Sequence, residues 1–180
     1  LDWSTVAAQP QTTFVSNLPY QIAASLVIER SLAPYAIETM ILMFQKEVAQ
    51  RIRAVPSSQD YGLLSVVAQS FWHIETVSEA GPGDFFPAPK IASRVLGFKI
   101  KKQHFLQNSS LTKKQYLHFL KMSFQQRRKV LRSNLKSWLH DMKRDPQELL
   151  EWLKQKGHTE SARAEELSVK EFEAECVLML

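Results

Sequence analysis

The sequence predicts an α/β fold over residues 1–103 and a small all-helical domain over residues 104–180. Three observations carry this reading. Apolar runs of strand character alternate with helical stretches through the first hundred residues. After Gln107 no strand pattern recurs, and helical periodicity runs nearly to the C-terminus. The charge changes at the same place: residues 1–100 hold seven Lys/Arg against eight Asp/Glu, residues 101–144 twelve against one, and residues 145–180 four against nine, giving net charges of −1, +11 and −5.

Taken in order, Thr12 to Ser16 reads as a strand and Gln21 to Leu32 as a helix with Ile22, Leu26 and Ala33 near one face. Ile37 to Phe44 is apolar enough for a buried strand. Helices follow from about Lys46 to Ala54 and from Leu63 to Phe71, with Glu47 and Arg51 spaced as an i,i+4 ion pair. His73 to Glu79 and Ser93 to Lys101 are the last two strands, and Gly81-Pro82-Gly83 and Pro87-Ala88-Pro89 break regular structure between them. In the second domain Leu117, Leu120 and Phe124 form one apolar stripe, Leu131, Leu135 and Trp138 a second, and Leu149, Leu150 and Leu153 a third.

At 180 residues and 44% hydrophobic content, the chain is ordinary for a globular protein with a core. It holds no apolar stretch of bilayer length, and Leu1-Asp2-Trp3 lacks the basic flank and apolar core of a signal peptide. A single cysteine, Cys176, excludes an internal disulfide, and the five histidines lack metal-ligand spacing. The expectation is a cytoplasmic protein without a metal. The +11 block favours a polyanion, through phosphate contacts and release of counterions, over the plainer role of solvating helix faces.

Three constellations carry candidate chemistry. Asn17-Leu18-Pro19-Tyr20 stands where a strand gives way to a helix. The lone pair of an exocyclic adenine amine is delocalised into the ring, so methylation requires the nitrogen to pyramidalise. Two acceptors aimed at its hydrogens favour that geometry, and the Asn17 side-chain oxygen and Leu18 carbonyl are the candidates. Pro19 stiffens the turn, and Tyr20 is placed to stack on the base. The same residues also suit a plain strand-to-helix turn with Asn17 as cap and Pro19 in the first turn. Phe85-Phe86-Pro87-Ala88-Pro89-Lys90 makes a stiff aromatic loop that can put a second ring on the base, with Lys90 and Arg94 available to phosphates. Gln125-Gln126-Arg127-Arg128-Lys129, continued by Arg132 and Lys136, gives a basic stretch in which Arg128, Arg132 and Lys136 recur every four residues as a rail on one helix. Such a rail positions an RNA backbone without reading its sequence.

No G-x-G pattern follows a first strand, so either the fold is small and unusual or about a hundred upstream residues, half of a nucleotide-binding domain, are missing, and the second is the expectation. With that expectation, the strings Val15-Ser16-Asn17-Leu18-Pro19-Tyr20, Phe44-Gln45-Lys46-Glu47-Val48-Ala49-Gln50-Arg51, Tyr61-Gly62-Leu63-Leu64-Ser65-Val66, Phe85-Phe86-Pro87-Ala88-Pro89-Lys90 and Phe124-Gln125-Gln126-Arg127-Arg128-Lys129 resemble, in order and spacing, the KsgA family. The resemblance covers essentially the whole chain. It implies the second half of a Rossmann-like methyltransferase domain followed by a helical RNA-binding domain. It also implies S-adenosylmethionine as cofactor, small-subunit ribosomal RNA as partner, and N6,N6-dimethylation of two adjacent adenosines. Asn17 and Leu18 would border the cofactor, whose main binding loop would lie upstream, and the family pattern F-x-P-x-P-K selects Phe85 as the ring on the base, against a plainer role as a core lid, with Phe86 as packing. Asp2 falls a few positions too late to be the acid near the cofactor adenine. Two other readings stay open: a non-catalytic fragment that binds ribosomal RNA, and a large-subunit RNA methylase conferring antibiotic resistance. A DNA adenine methylase fits less well, because its tetrad normally has Pro where this chain has Leu18. With its upstream neighbours gone, the first strand would bare a sheet edge and apolar faces, and self-association is expected.

Overall fold

The computed structural model describes residues 12–33, 37–108 and 111–179. Its sheet has four strands, β1 (Thr13–Asn17), β2 (Thr39–Gln45), β3 (Trp72–Ala80) and β4 (Ser93–Ile100), in the order β1-β2-β4-β3. β1 and β2 are parallel, with Asn17 opposite Met43, whereas β4 runs antiparallel to both β2 and β3. α1 (Tyr20–Leu32) makes the crossover between the parallel strands. α2 (Lys46–Arg53) and α3 (Leu63–Phe71) lead to β3.

Period-two alternation decides which side of the sheet is buried. Met40, Leu42 and Phe44 of β2, with Leu96 and Phe98 of β4, point to the side covered by α1, α2 and α3, and all five are buried. Val15, Ile41 and Val77 share the opposite face, where no described helix packs. A bulge between Thr76 and Ser78 places Val77 over Gly97. A Cβ at Gly97 would come within 3.2 Å of the Val77 Cγ2.

Among the described residues four α-helices follow the sheet: α4 (Lys113–Ser123), α5 (Leu131–Asp141), α6 (Pro146–Gln155) and α7 (Val169–Met179). Their starts are written in the sequence. Thr112 and Gln115 form a reciprocal capping box, Asp145 caps α6 with Pro146 in its first turn, and Ser168 and Glu171 box the start of α7. α4 and α7 dock on α3, so one continuous core joins the sheet layer to the helices. The seam is aromatic: Phe71 meets Tyr116 edge-on at 6.2 Å and Tyr61 meets Phe124 at 6.4 Å. Buried hydroxyls at the seam are paired, Tyr61 Oη donating to the Leu167 carbonyl and Tyr116 Oη lying 2.9 Å from Ser70 Oγ. No described helix is long and apolar enough to cross a membrane.

Candidate active site

Parallel strands end at the same side of a sheet, and the crossover returns the chain there. β1 ends at Asn17 and β2 at Gln45, on neighbouring strands. Leu18 turns inward and is buried, which anchors the chain as it leaves the strand. Pro19, exposed, occupies the cap position of α1, and its carbonyl accepts from the Ile22 amide at 3.1 Å. Tyr20 opens the helix, and its side chain lies outside what the structure describes. No side chain caps α1, so the exposed Asn17 amide is not spent on the turn. The reading of Asn17 as a helix cap is therefore corrected: the strand runs through Asn17, leaving two residues before the helix, and Pro19 takes the cap position.

The loop after β3 arrives at the same end. Gln45 of β2 lies opposite Ser93, and Ser93 lies opposite Ala80, so residues 81–92 connect strands directly beside the end of β2. The Lys46 amide donates to the Ala92 carbonyl at 2.9 Å and pins the returning limb to the start of α2. Within the loop Phe85 is half-buried while Phe86 is fully exposed. Phe86 is therefore not packing. In an extended chain adjacent side chains point to opposite sides, and only Phe85 faces the protein. Lys90 is exposed.

Arg94 does not point freely to solvent. Its guanidinium, only 16% exposed, binds Glu79 at 2.5 Å, and the Lys46 ammonium approaches the other Glu79 oxygen at 3.7 Å. The hydrogen bond and charge of Arg94, with a smaller contribution from Lys46, hold the Glu79 carboxyl below its ordinary range. Glu79, which the sequence reading missed as a partner here, bridges Arg94 and Lys46 at the sheet end where β1 and β2 finish and offsets one of their two positive charges. Its signal was its place on an alternating strand, two residues before the turn.

The basic stretch is arranged differently from the single-helix rail. α4 ends at Ser123 and α5 begins at Leu131, so Arg127, Arg128 and Lys129 sit in the intervening turn and only Arg132 and Lys136 share a helix face. Phe124 breaks the rail by packing on Tyr61 and Phe172. Buried Asn134 then staples the turn, its Nδ2 donating to the Ser123 carbonyl at 2.7 Å and the Gln126 carbonyl at 3.1 Å. Asn134 went unnoticed because a lone asparagine among helical residues has no periodicity of its own. Arg128, Lys129, Arg132 and Lys136 are exposed, and Lys129 and Lys136 line a groove of about 450 Å³ with Gln125, Ser133 and His140. Arg127 is engaged in an ion pair with Glu165. Glu47 and Arg51 form the expected i,i+4 pair on α2.

Among the solved structures that share this architecture are two transferases by name. A dimethyladenosine transferase from Plasmodium falciparum superposes with a TM-score of 0.73 at 22% identity over 92% of this chain and 65% of that one. The 23S rRNA methyltransferase ErmE gives 0.66 at 21% identity over 94% and 66%. The fold is that of the Rossmann-like methyltransferases. A family profile described as Ribosomal RNA adenine dimethylase matches residues 1–176, and this chain belongs to that family. Among its relatives are proteins named Ribosomal RNA small subunit methyltransferase A. That of Bdellovibrio bacteriovorus is 51% identical over 174 residues, covering 97% of this chain and 62% of the relative. That of Phytoplasma australiense is 36% identical over 163 residues, covering 91% and 56%. The chain thus spans roughly three-fifths of the length of the relatives it matches.

Proposed function

We propose that this chain supplies the base-binding corner and RNA surface of an S-adenosylmethionine-dependent adenine N6,N6-dimethyltransferase of small-subunit (16S) ribosomal RNA, a cytoplasmic enzyme of ribosome biogenesis acting on two adjacent adenosines. The observation that carries this reading is the convergence at one sheet end of an uncommitted Asn17 amide, the Leu18 turn and the Phe85 loop pinned through Lys46. The Asn17 side-chain oxygen and the Leu18 carbonyl accept the two hydrogens of the exocyclic amine and favour its pyramidal form. Tyr20 and Phe85 take the faces of a base drawn out of its stack. With the donor bound, the N–C bond would form as the methyl–sulfur bond breaks, the sulfur leaving as a neutral thioether and the amine proton passing to water, so orientation supplies most of the acceleration. S-adenosylmethionine, when bound, supplies the electrophilic methyl group. The corner offers a cationic donor neutral oxygens, and Glu79 offsets one of the two positive charges of Lys46 and Arg94 at this end of the sheet.

Arg128, Lys129, Arg132 and Lys136, with Lys90 near the corner, hold phosphates, while Arg94 serves through its pair with Glu79. In the protein encoded by the complete reading frame, Asn17→Ala is expected to lower methyl incorporation into small-subunit RNA about 10²–10³-fold. RNA binding should stay nearly unchanged, since the phosphate contacts are elsewhere. Methyl transfer at the wild-type rate would show that Asn17 does not hold the acceptor amine.

A further inference from the structure

We infer that Arg127 is a positioning residue that pins the basic turn to the sheet layer, and not one of the phosphate contacts; the inference rests on the RNA-binding reading of that turn. Arg127 Nε donates to Glu165 Oε2 at 2.5 Å, and its Nη2 reaches the Ser58 carbonyl at 3.3 Å. The same glutamate is fixed through its backbone, its carbonyl accepting from the Ser57 amide at 2.7 Å. Ser57 has φ 65°, a left-handed conformation that a residue with a Cβ holds only when its surroundings dictate it. Residues 162–167 thereby form a wall with the basic turn on one side and the loop after α2 on the other. The Leu131 amide donates to Ala162, and Tyr61 Oη to Leu167, in the same wall.

The three cations of the turn are consequently unequal. Arg128 and Lys129 form no ion pair among the described residues, whereas Arg127 is held by a carboxylate whose side chain is only 22% exposed. α2 leads from the Asn17 corner to the pinned loop. Its eight residues make it about 12 Å long. The pin therefore fixes where Arg128 and Lys129 present phosphates relative to the reacting base. An ion pair half open to water adds little to stability, so its value lies in placement.

Simple electrostatics and the pin predict opposite signs for Glu165→Gln. Removing a carboxylate near a polyanion should strengthen binding, but releasing the pin should weaken it. With purified small-subunit ribosomal RNA at fixed salt, Glu165→Gln and Arg127→Gln are each expected to weaken binding about 5-fold, and the swap Arg127→Glu with Glu165→Arg to recover most of that loss. In the complete protein, Glu165→Gln should also lower kcat at saturating RNA, while thermal unfolding moves little. Tighter or unchanged binding by Glu165→Gln, or a swap as weak as Arg127→Glu alone, overturns the pin. The pair Arg128→Gln and Lys129→Gln separates the two readings. If it leaves binding and its salt dependence intact, the basic turn is not an RNA surface at all; if it weakens binding while Glu165→Gln does not, only the pin fails.

Discussion

The two faces of the sheet are built from the same four strands yet behave as different materials. On the covered face Met40, Leu42, Phe44, Leu96 and Phe98 are at most 1% exposed beneath three helices. On the other face Val15 and Val77 are 66% and 54% exposed, and Ile41 lines a depression of about 560 Å³ with His73, Glu75 and Lys99. The covered face is a dry interior, where shape and the absence of charge set stability. The open face mixes apolar and charged groups and contributes surface. Apolar residues on both sides of a strand indicate a sheet suited to cover on both faces, as α/β folds with parallel strands have.

Truncation of the core should produce the largest difference between the faces. Phe98→Ala is expected to cost about 3–5 kcal/mol in urea unfolding, against under about 1 kcal/mol for Ile41→Ala on the neighbouring strand. Equal losses would erase the distinction. The next effect tests dryness on the covered side. Glu175 of α7 is fully buried, its carboxylate oxygens have no hydrogen-bond partner, and burial pushes its acid up to about 8 despite the attraction of Lys156. A raised folded-state value means that the neutral acid is favoured in the fold. That contribution is complete below the ordinary carboxyl range and is lost as pH rises through about 8. Glu175→Gln should therefore raise the melting temperature by roughly 5 °C near pH 9 and leave it unchanged near pH 4. A pH-independent difference would show that the carboxyl is not buried as a neutral acid. The smallest effect on stability belongs to the open face: Val15→Ser with Val77→Ser should shift unfolding by under about 1 kcal/mol. Its consequence is association. The 180-residue chain is expected to elute in size-exclusion chromatography above the monomer position, through this face and the β1 edge, and the double variant to move toward the monomer. A wild-type chain eluting as a monomer removes that expectation.

The same contrast explains what could be read from sequence. In the first hundred residues strand and helix limits came within one or two residues, because alternation in β2 and the breaks around it are local signals, whereas the helices after Gln107 were read only as apolar stripes without limits. The sheet-end corner was legible in outline, since Asn17 and the Phe85 loop lie beside breaks in regular structure. What escaped depends on contacts distant in sequence. Phe124 looked like one more residue of a stripe until its packing against Tyr61 and Phe172 ended the helix and moved Arg128 off the rail. Arg127 and Glu165 are 38 positions apart, and nothing in either neighbourhood marks them as partners. Glu175 belongs by composition to a solvated acidic segment, and only the docking of α7 takes it out of water.

α2 begins at Lys46, directly after β2 at the sheet end where β1 also finishes, and leads to the pinned loop at its last residue. In genetic terms it should tolerate substitution far better than a change of length. One residue inserted into it would turn everything beyond by about 100° and advance it by about 1.5 Å. A frame-preserving insertion at its centre would thus alter how far, and in which direction, an RNA strand must travel between its phosphate grip and its target base, although no residue at either end had been replaced.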